Sequence, residues 1–453
     1  MKKNLKLFGS TLLVCAAMIA CENNDLDQVP ELDELKKANN GMIKSYDNSM
    51  VLAWNELLSQ TIDNKMPPAP EARIYAMVTL AVHDALNNVV PDYETYALNN
   101  QGAYYKDISK NNINSIADAA VAQAAHDALV ALVPASAANA GTLLTSSLAE
   151  IEDSEFKARG IKIGKDAALA VLADRQSDPP LKFHTYPQGT VPGQYQSPAP
   201  YNVANNVWPD NSAYAPNMGI FRPFGIEYSN QFRAKQPYSL NSAAYLADYN
   251  EVKSLGGNSS TERTQEQAEM GVFFLDNVSN SVNRIARIMA VQEKLDGWET
   301  ARLMALIHIA QFDACLSSFE GKYHYNFWRP VTAISNGEND GNDNTIGDPN
   351  WSILQAARAT PPTPTYPSTH SEMGGAGAEI LKLYFKKDNI PFTIGSYSLK
   401  GVQRNFTDFS QFATECATSR IYIGYHFRND IVEGEKMGRQ LAKFVFENNL
   451  RKL

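Results

Sequence analysis

The chain has 453 residues, 44% of them hydrophobic and 20% charged, and a formal net charge of −9. That composition supplies a sizeable apolar core and argues against a mainly disordered chain. The acidic balance argues against a general nucleic-acid binder, which needs a basic footprint, but leaves room for a local cluster of Lys and Arg around an anionic substrate.

The N-terminus reads as a targeting segment. Lys2, Lys3 and Lys6 precede the apolar run LFGSTLLVCAAMIA, and Cys21 follows. A basic stretch, an apolar stretch and a small residue before the cut form a secretory signal over residues 1–20. Met18-Ile19-Ala20-Cys21 resembles a bacterial lipobox with Met18 in the place of the usual Leu, so Cys21 is the expected lipidation site. An ordinary cleaved signal with an incidental Cys is the alternative. Residues 21–45 are polar and acidic and read as a tether. The expectation is an exported bacterial lipoprotein, periplasmic or at the cell surface, that touches the membrane only through its lipid anchor. No later run of 18 apolar residues suggests a transmembrane helix. Export permits a disulfide between Cys315 and Cys416, but both sit in helical-looking stretches and read as buried free thiols.

Beyond the tether, apolar residues recur at helical spacing. Helices are predicted at 47–63, 71–89, 113–133, 139–152, 155–175, 241–254, 262–280, 282–293, 296–318, 370–386, 407–424 and 428–448. Strand-like alternation is rare. Pro-, Gly- and Asn-rich loops separate the helices, the longest at 176–240 and 333–366. The reading is an all-α domain over 46–453, with N-terminal helices at about 46–175 and a C-terminal half at about 240–453. AVHDALNN (81–88) and AAHDALVA (124–131) look alike, and His83 and His126 read as helix-packing residues. HExxH, paired CxxC and EF-hand patterns are absent from the sequence. The acidic loop GENDGNDNTIGDPN (337–350) reads as a solvated turn region.

Three segments carry chemistry. In KYHYNFWRP, Lys322 and Arg329 are two helical turns apart, so one helix could present both on one face. Two cations on one stripe repel unless they share an anion. In TYPSTHSEMGGAG, Ser368 or Thr369 can cap a helix, and Thr369-x-x-Glu372 has capping-box spacing. The first N–H groups of that helix suit an oxyanion, and His370 lies in its first turn. Gly374, Gly375 and Gly377 permit close packing. In SRIYIGYHFRND, His426 and Asp430 are i and i+4, adjacent if one helix runs through both. A carboxylate on one imidazole nitrogen fixes the tautomer and frees the other. Arg420 offers a planar fork to tetrahedral oxygens. Each segment alone has a plain structural explanation. Together they supply three cations, a helix N-terminus and two histidines, a set suited to a trianionic tetrahedral oxyanion.

The pattern Lys322-x6-Arg329-Pro330, Pro367-Ser368-Thr369-His370 and Ser419-Arg420-x5-His426-x3-Asp430 resembles the three-part signature of vanadium-dependent haloperoxidases and type-2 phosphatidic acid phosphatases. The surrounding wording is similar to the soluble bacterial haloperoxidase-like branch. ARIYAMVTLAVHDALN (72–87) and SLNSAAYLADYNEVKSLG (239–256) extend the resemblance over about 47–446. It implies helical bundles of the haloperoxidase/acid phosphatase type. Lys322, Arg329 and Arg420 would bind the equatorial oxygens of vanadate or phosphate, helped by Ser368 and the Thr369 N–H. His426 would coordinate vanadium or attack phosphorus, His370 would be the acid/base, and Asp430 would orient His426. Two departures stand out: Thr369 replaces the usual Gly, and Thr363 stands where haloperoxidases of this family often carry an aromatic, although Phe319 keeps the other aromatic place. The implied activity is halide oxidation by hydrogen peroxide with vanadate as cofactor. The alternatives are an acid phosphatase that needs no cofactor and cleaves a phosphate ester through a phosphohistidine, or a non-catalytic surface lipoprotein. The sequence leaves the oligomeric state open.

Overall fold

A computed structural model describes residues 41–98, 107–198, 209–354 and 359–453. The signal peptide, Cys21 and the tether up to residue 40 lie outside these residues. The tether's expected end at 45 shifts: Met42 and Ile43 are buried in the core. They are adjacent apolar side chains whose removal from water is favourable. Tyr46 anchors them, its hydroxyl donating to Asp118 at 2.7 Å and its ring lying edge-on to Trp298 at 5.4 Å.

The architecture is helical, as the periodicity predicts. The N-terminal helices are α1 (Ser49–Ile62), α2 (Pro68–Val89), α3 (Ile113–Leu132), α4 (Ala137–Ala149) and α5 (Glu155–Asp174). The chain continues through β1 (Phe183–Thr185) and β2 (Ser212–Tyr214) into α6 (Ala243–Gly256), α7 (Gln265–Phe273), α8 (Val278–Gln292), α9 (Gly297–Tyr325) and the short α10 (Pro330–Ser335). The C-terminal part holds α11 (Thr369–Phe385), β3 (Phe392–Gly395), β4 (Gln403–Phe406), α12 (Phe409–Tyr422) and α13 (Arg428–Asn448). Each strand pair is antiparallel, and Phe183 lies opposite Tyr214. No helix among the described residues is long and apolar enough to cross a membrane.

The central element is α9, apolar on most of its surface and buried along nearly its whole length. Asp296 caps its start by accepting from Glu299 N at 2.8 Å, and the Glu299 carboxylate returns to Asp296 N at 3.1 Å. It packs against α2 on one side and α11 and α13 on the other, which joins both halves through one core. The helix predicted at 262–280 is instead two. Asp276 sits in the break, where its carboxylate accepts from Asn64 Nδ2, Arg284 Nη2 and the Tyr397 and Ser398 N–H groups at 2.8–3.0 Å. A carboxylate serving that many donors in tertiary contacts overrides local helical periodicity.

Close approach between α11 and α13 sets the site. A Cβ on Gly434 would lie 2.6 Å from Ser368 O, and one on Gly375 would lie 2.6 Å from Glu435 O. Only glycine allows these backbones to meet. His83 is fully buried, with Nε2 against Glu94 O at 3.0 Å, and burial lowers its pKa to about 4. His126 packs edge-on to Trp54 at 6.3 Å and contacts Asp127 at 2.7 Å. Cys315 and Cys416 are free and buried. The 337–350 loop differs from a solvated turn: Asp340, Asn342 and Thr345 are buried, and the Thr345 hydroxyl lies 2.7 Å from Asp340 Oδ2.

Candidate active site

Lys322, Arg329, Thr369, His370, Arg420 and His426 line one cleft of about 750 Å³. Four helices and the turn before α13 bring them there. Lys322 is on the last turn of α9, which stops at Asn326 in the left-handed conformation (φ 51°). Arg329 is therefore not on the same helix, as its spacing suggested. It is the N-cap residue of α10, and Pro330 opens that helix. The chain reversal, rather than a helical stripe, points both cations into the cleft.

The cations are buried and held by backbone carbonyls. Lys322 Nζ donates to Pro364 O, Thr365 O and Pro367 O at 2.9, 2.8 and 2.7 Å. Arg329 donates through Nε to Thr363 O at 2.8 Å, through Nη2 to Thr363 Oγ1 at 2.9 Å and through Nη1 to Tyr425 O at 3.1 Å. Arg420 donates through Nε to Ser419 Oγ at 3.0 Å and through Nη2 to Phe274 O at 2.5 Å. Dipoles fix these groups without cancelling their charge. Burial, with Arg329 next, pushes the Lys322 ammonium well below its usual range, and burial brings both Arg329 and Arg420 to about 10. Three desolvated cations converging on one space favour an anion there.

His426 and Asp430 meet, but not along one helix. After α12, Gly424 turns the chain at φ 80°, and His426 precedes the N-cap of α13. Asp430 sits in the first turn of α13, and its Oδ2 accepts from Phe427 N at 3.0 Å and faces His426 Nδ1 at 3.0 Å. Arg329 Nη1 lies 3.2 Å from His426 Nε2. A guanidinium can only donate, so Nε2 is the acceptor and the proton sits on Nδ1. Burial, followed by Arg329, Lys322 and Arg420, holds this imidazole well below its usual pKa and therefore neutral. Burial raises Asp430 to about 7, against lowering by the Thr365 hydroxyl and Lys322.

Ser368 caps α11, its Oγ accepting from Ser371 N at 3.3 Å. It is fully buried behind the cleft wall rather than on it, whereas Thr369 lines the cleft. The capping box with Glu372 does not form. Glu372 is fully buried, and burial pushes its carboxyl well above the usual range. His370 faces the cleft; its Nε2 is shielded from solvent and has no hydrogen-bond partner among the described residues. Burial and Arg420 keep it well below its usual pKa. An unpartnered imidazole nitrogen beside an anion-binding space can exchange a proton there.

Sequence reasoning missed Thr365 and one wall, and it singled out Thr363 only as a departure from the family's usual aromatic. Thr365 Oγ1 donates to Asp430 Oδ2 at 2.6 Å and lies 3.1 Å from His426 Nδ1. Thr363 binds Arg329 through both its carbonyl and its hydroxyl. The alternation of Thr and Pro in TPTYP, just before the Ser-x-His turn, was the available signal. The cleft's outer wall comes from Asn64–Ala69 in the N-terminal half and from Phe183 and Tyr214 on the β1–β2 pair. Only the fold brings these to the site.

The family model of the VCPO second helical-bundle domain matches residues 302–453, the stretch that holds all three segments. The chain is 26% identical to vanadium chloroperoxidase of Curvularia inaequalis over 89% of its own length and 81% of that protein's. Among solved structures, it is similar to a bacterial vanadium-dependent iodoperoxidase, with 23% identity, a TM-score of 0.68, and coverage of 92% of this chain and 97% of that one. A holo-type bacterial vanadium-dependent chloroperoxidase matches at 17% identity and a TM-score of 0.64, with 83% and 90% coverage.

Proposed function

The chain belongs to the vanadium haloperoxidase superfamily, and we propose that it is a vanadate-dependent haloperoxidase that oxidises bromide or iodide with hydrogen peroxide. The observation that carries this reading is the neutral His426, with an unprotonated Nε2 amid Lys322, Arg329 and Arg420. Vanadate fits that donor set: three cations match its oxygens, and the unprotonated imidazole nitrogen of His426, which here accepts from Arg329 Nη1, matches its centre. Among the described residues lining the cleft, the carboxylate of Asp276 is engaged by Arg284 and does not supply the missing negative charge. When bound, vanadate would supply a Lewis-acidic centre that activates peroxide toward halide.

The chain's own residues do the rest. Lys322, Arg329 and Arg420 hold the oxyanion and neutralise its charge. His426 Nε2, now the acceptor of Arg329 Nη1, is the nitrogen that would face the oxyanion's centre. Asp430 and Thr365 keep the His426 proton on Nδ1. His370 Nε2 takes a proton from the incoming peroxide and returns it to the departing oxygen. Phe319, Tyr214 and Phe183 add aromatic surface to the cleft lining.

A phosphatase reading uses the same cradle, since vanadate resembles phosphate and its five-coordinate form resembles the phosphoryl-transfer transition state. Thr363 favours it, because its hydroxyl is spent on Arg329 and leaves no aromatic at that place. One preparation tests both readings. Loaded with vanadate and given peroxide and iodide, the protein is expected to form triiodide; stripped of vanadate, it is expected to leave an aryl phosphate intact. Full vanadate loading without halide oxidation, together with vanadate-inhibited ester hydrolysis lost in His426→Ala, would replace the first reading with the second.

A further inference from the structure

Two neighbouring hydroxyls open α11, and they are used differently. Ser368 is fully buried. Its Oγ accepts from Ser371 N at 3.3 Å and from Ser371 Oγ at 2.9 Å, so both lone pairs serve the helix that it caps. Thr369, the next residue, is partly exposed and lines the cleft beside His370. The sequence pattern assigns the oxyanion's hydroxyl partner to Ser368, and the Gly usual at the next place would offer no second hydroxyl. Here the residue on the cleft wall carries one.

The Thr369 hydroxyl has a fixed neighbour. Its Oγ1 lies 2.8 Å from Ser318 Oγ, and Ser318 Oγ lies 2.8 Å from Cys315 O. Ser318 is fully buried on α9, one turn before Lys322. The two hydroxyls hold two protons, which can be arranged in two ways. In one, Thr369 donates to Ser318 and Ser318 donates to Cys315 O. In the other, Ser318 donates to Thr369, and the Thr369 proton is free to point into the cleft. The second costs little, because Cys315 O, inside α9, keeps its helical N–H partner. It gains a charge-assisted hydrogen bond once an anion stands beside Thr369.

We propose that Thr369, rather than Ser368, supplies the hydroxyl that donates to the oxyanion in the cradle, and that Ser318 turns its own proton toward Thr369 when the anion binds. No covalent bond changes; two O–H groups rotate. This rests on the oxyanion reading of the cradle and holds for vanadate and phosphate alike, since both present an anionic oxygen.

Calorimetric titration of the full chain with vanadate, and separately with inorganic phosphate, tests it. Thr369→Val nearly keeps the side chain's shape and removes its hydroxyl; it is expected to weaken both anions by about 10- to 100-fold. Thr369→Ser is expected to recover most of that loss. Ser318→Ala leaves Thr369 whole but without its relay partner, and should cost about threefold. Ser368→Ala should lower the melting temperature through the lost cap and weaken the anions less than Thr369→Val does. Wild-type affinity in a folded Thr369→Val would overturn the proposal, and so would a larger loss in Ser368→Ala. A loss in Thr369→Val that Thr369→Ser does not recover would also overturn it, because shape and not the hydroxyl would be at fault. A wild type that binds neither anion removes the cradle reading and this proposal with it. A wild type that binds them no better than Thr369→Val removes this proposal alone.

Discussion

Two clusters of buried charge face the same cleft and are built on opposite rules. In the outer cluster, Arg284 bonds directly to Asp276, Asp63 accepts from Tyr397, and Glu71 accepts from Asn64, Asn277 and Asn280. The negative charge of Asp276 meets the positive charge of Arg284 at 2.9 Å. In the inner cluster, Lys322, Arg329 and Arg420 meet carbonyl and hydroxyl oxygens, and the carboxylate of Asp430 lies behind His426. In the outer cluster Arg284 is paired and the carboxyl groups accept hydrogen bonds from neighbouring side chains and backbone, so it stabilises the fold. The inner one is fixed in position but short of negative charge, so it is ready for a ligand.

Paired substitutions would break this contrast most sharply. Arg420→Met is expected to weaken vanadate or phosphate binding by about 2–4 kcal/mol, roughly 30- to 1,000-fold, with little loss of melting temperature. Arg284→Met should do the reverse: it leaves Asp276 as an unpaired buried charge and costs about 3 kcal/mol of stability while the cradle stays intact. Calorimetric titration and thermal melting of both variants check this, and equal anion affinity in both would erase the distinction.

A smaller effect is expected within the inner cluster. Thr365→Val removes the hydroxyl on Asp430 Oδ2 and should lower kcat about tenfold, because the carboxylate then holds His426 less firmly. The acid limb of the pH–rate profile should move upward, since that hydroxyl lowers the Asp430 pKa. An unshifted profile would make Thr365 a packing residue only.

The smallest effect concerns the outer cluster. Burial raises Glu71 from an ordinary value of 4.5 to about 8. Between those values the folded protein keeps a proton that the unfolded chain has lost, so stability falls as pH rises through that window. Glu71→Gln keeps a neutral acceptor for Asn277 and should flatten the decline. Melting curves at several pH values would show whether the wild type is the steeper of the two.

The sequence made the inner cluster legible because its groups are distinctive side chains at fixed spacings. Helix periodicity located most elements for a similar reason, since a buried stripe leaves a regular mark. What holds the cations was not legible. Pro364 O, Thr365 O and Pro367 O are backbone atoms, and any residue carries a carbonyl. The helices predicted at 407–424 and 428–448 already leave a gap at His426, but spacing alone does not show that Lys322 with Arg329 and His426 with Asp430 meet across turns rather than along one helix. The outer wall joins residues 64–69 to residues 272–278 and 397–398, a meeting set by tertiary packing alone.

Asp430 makes one more connection. Its side chain holds Nδ1 of His426, and its backbone oxygen accepts from Ser368 N at 3.0 Å, at the threshold of the helix that carries His370. A single residue thus acts as a gauge block between the two histidines. A change at Asp430 would therefore be felt at both histidines, through the ring of His426 and through the start of the helix that carries His370.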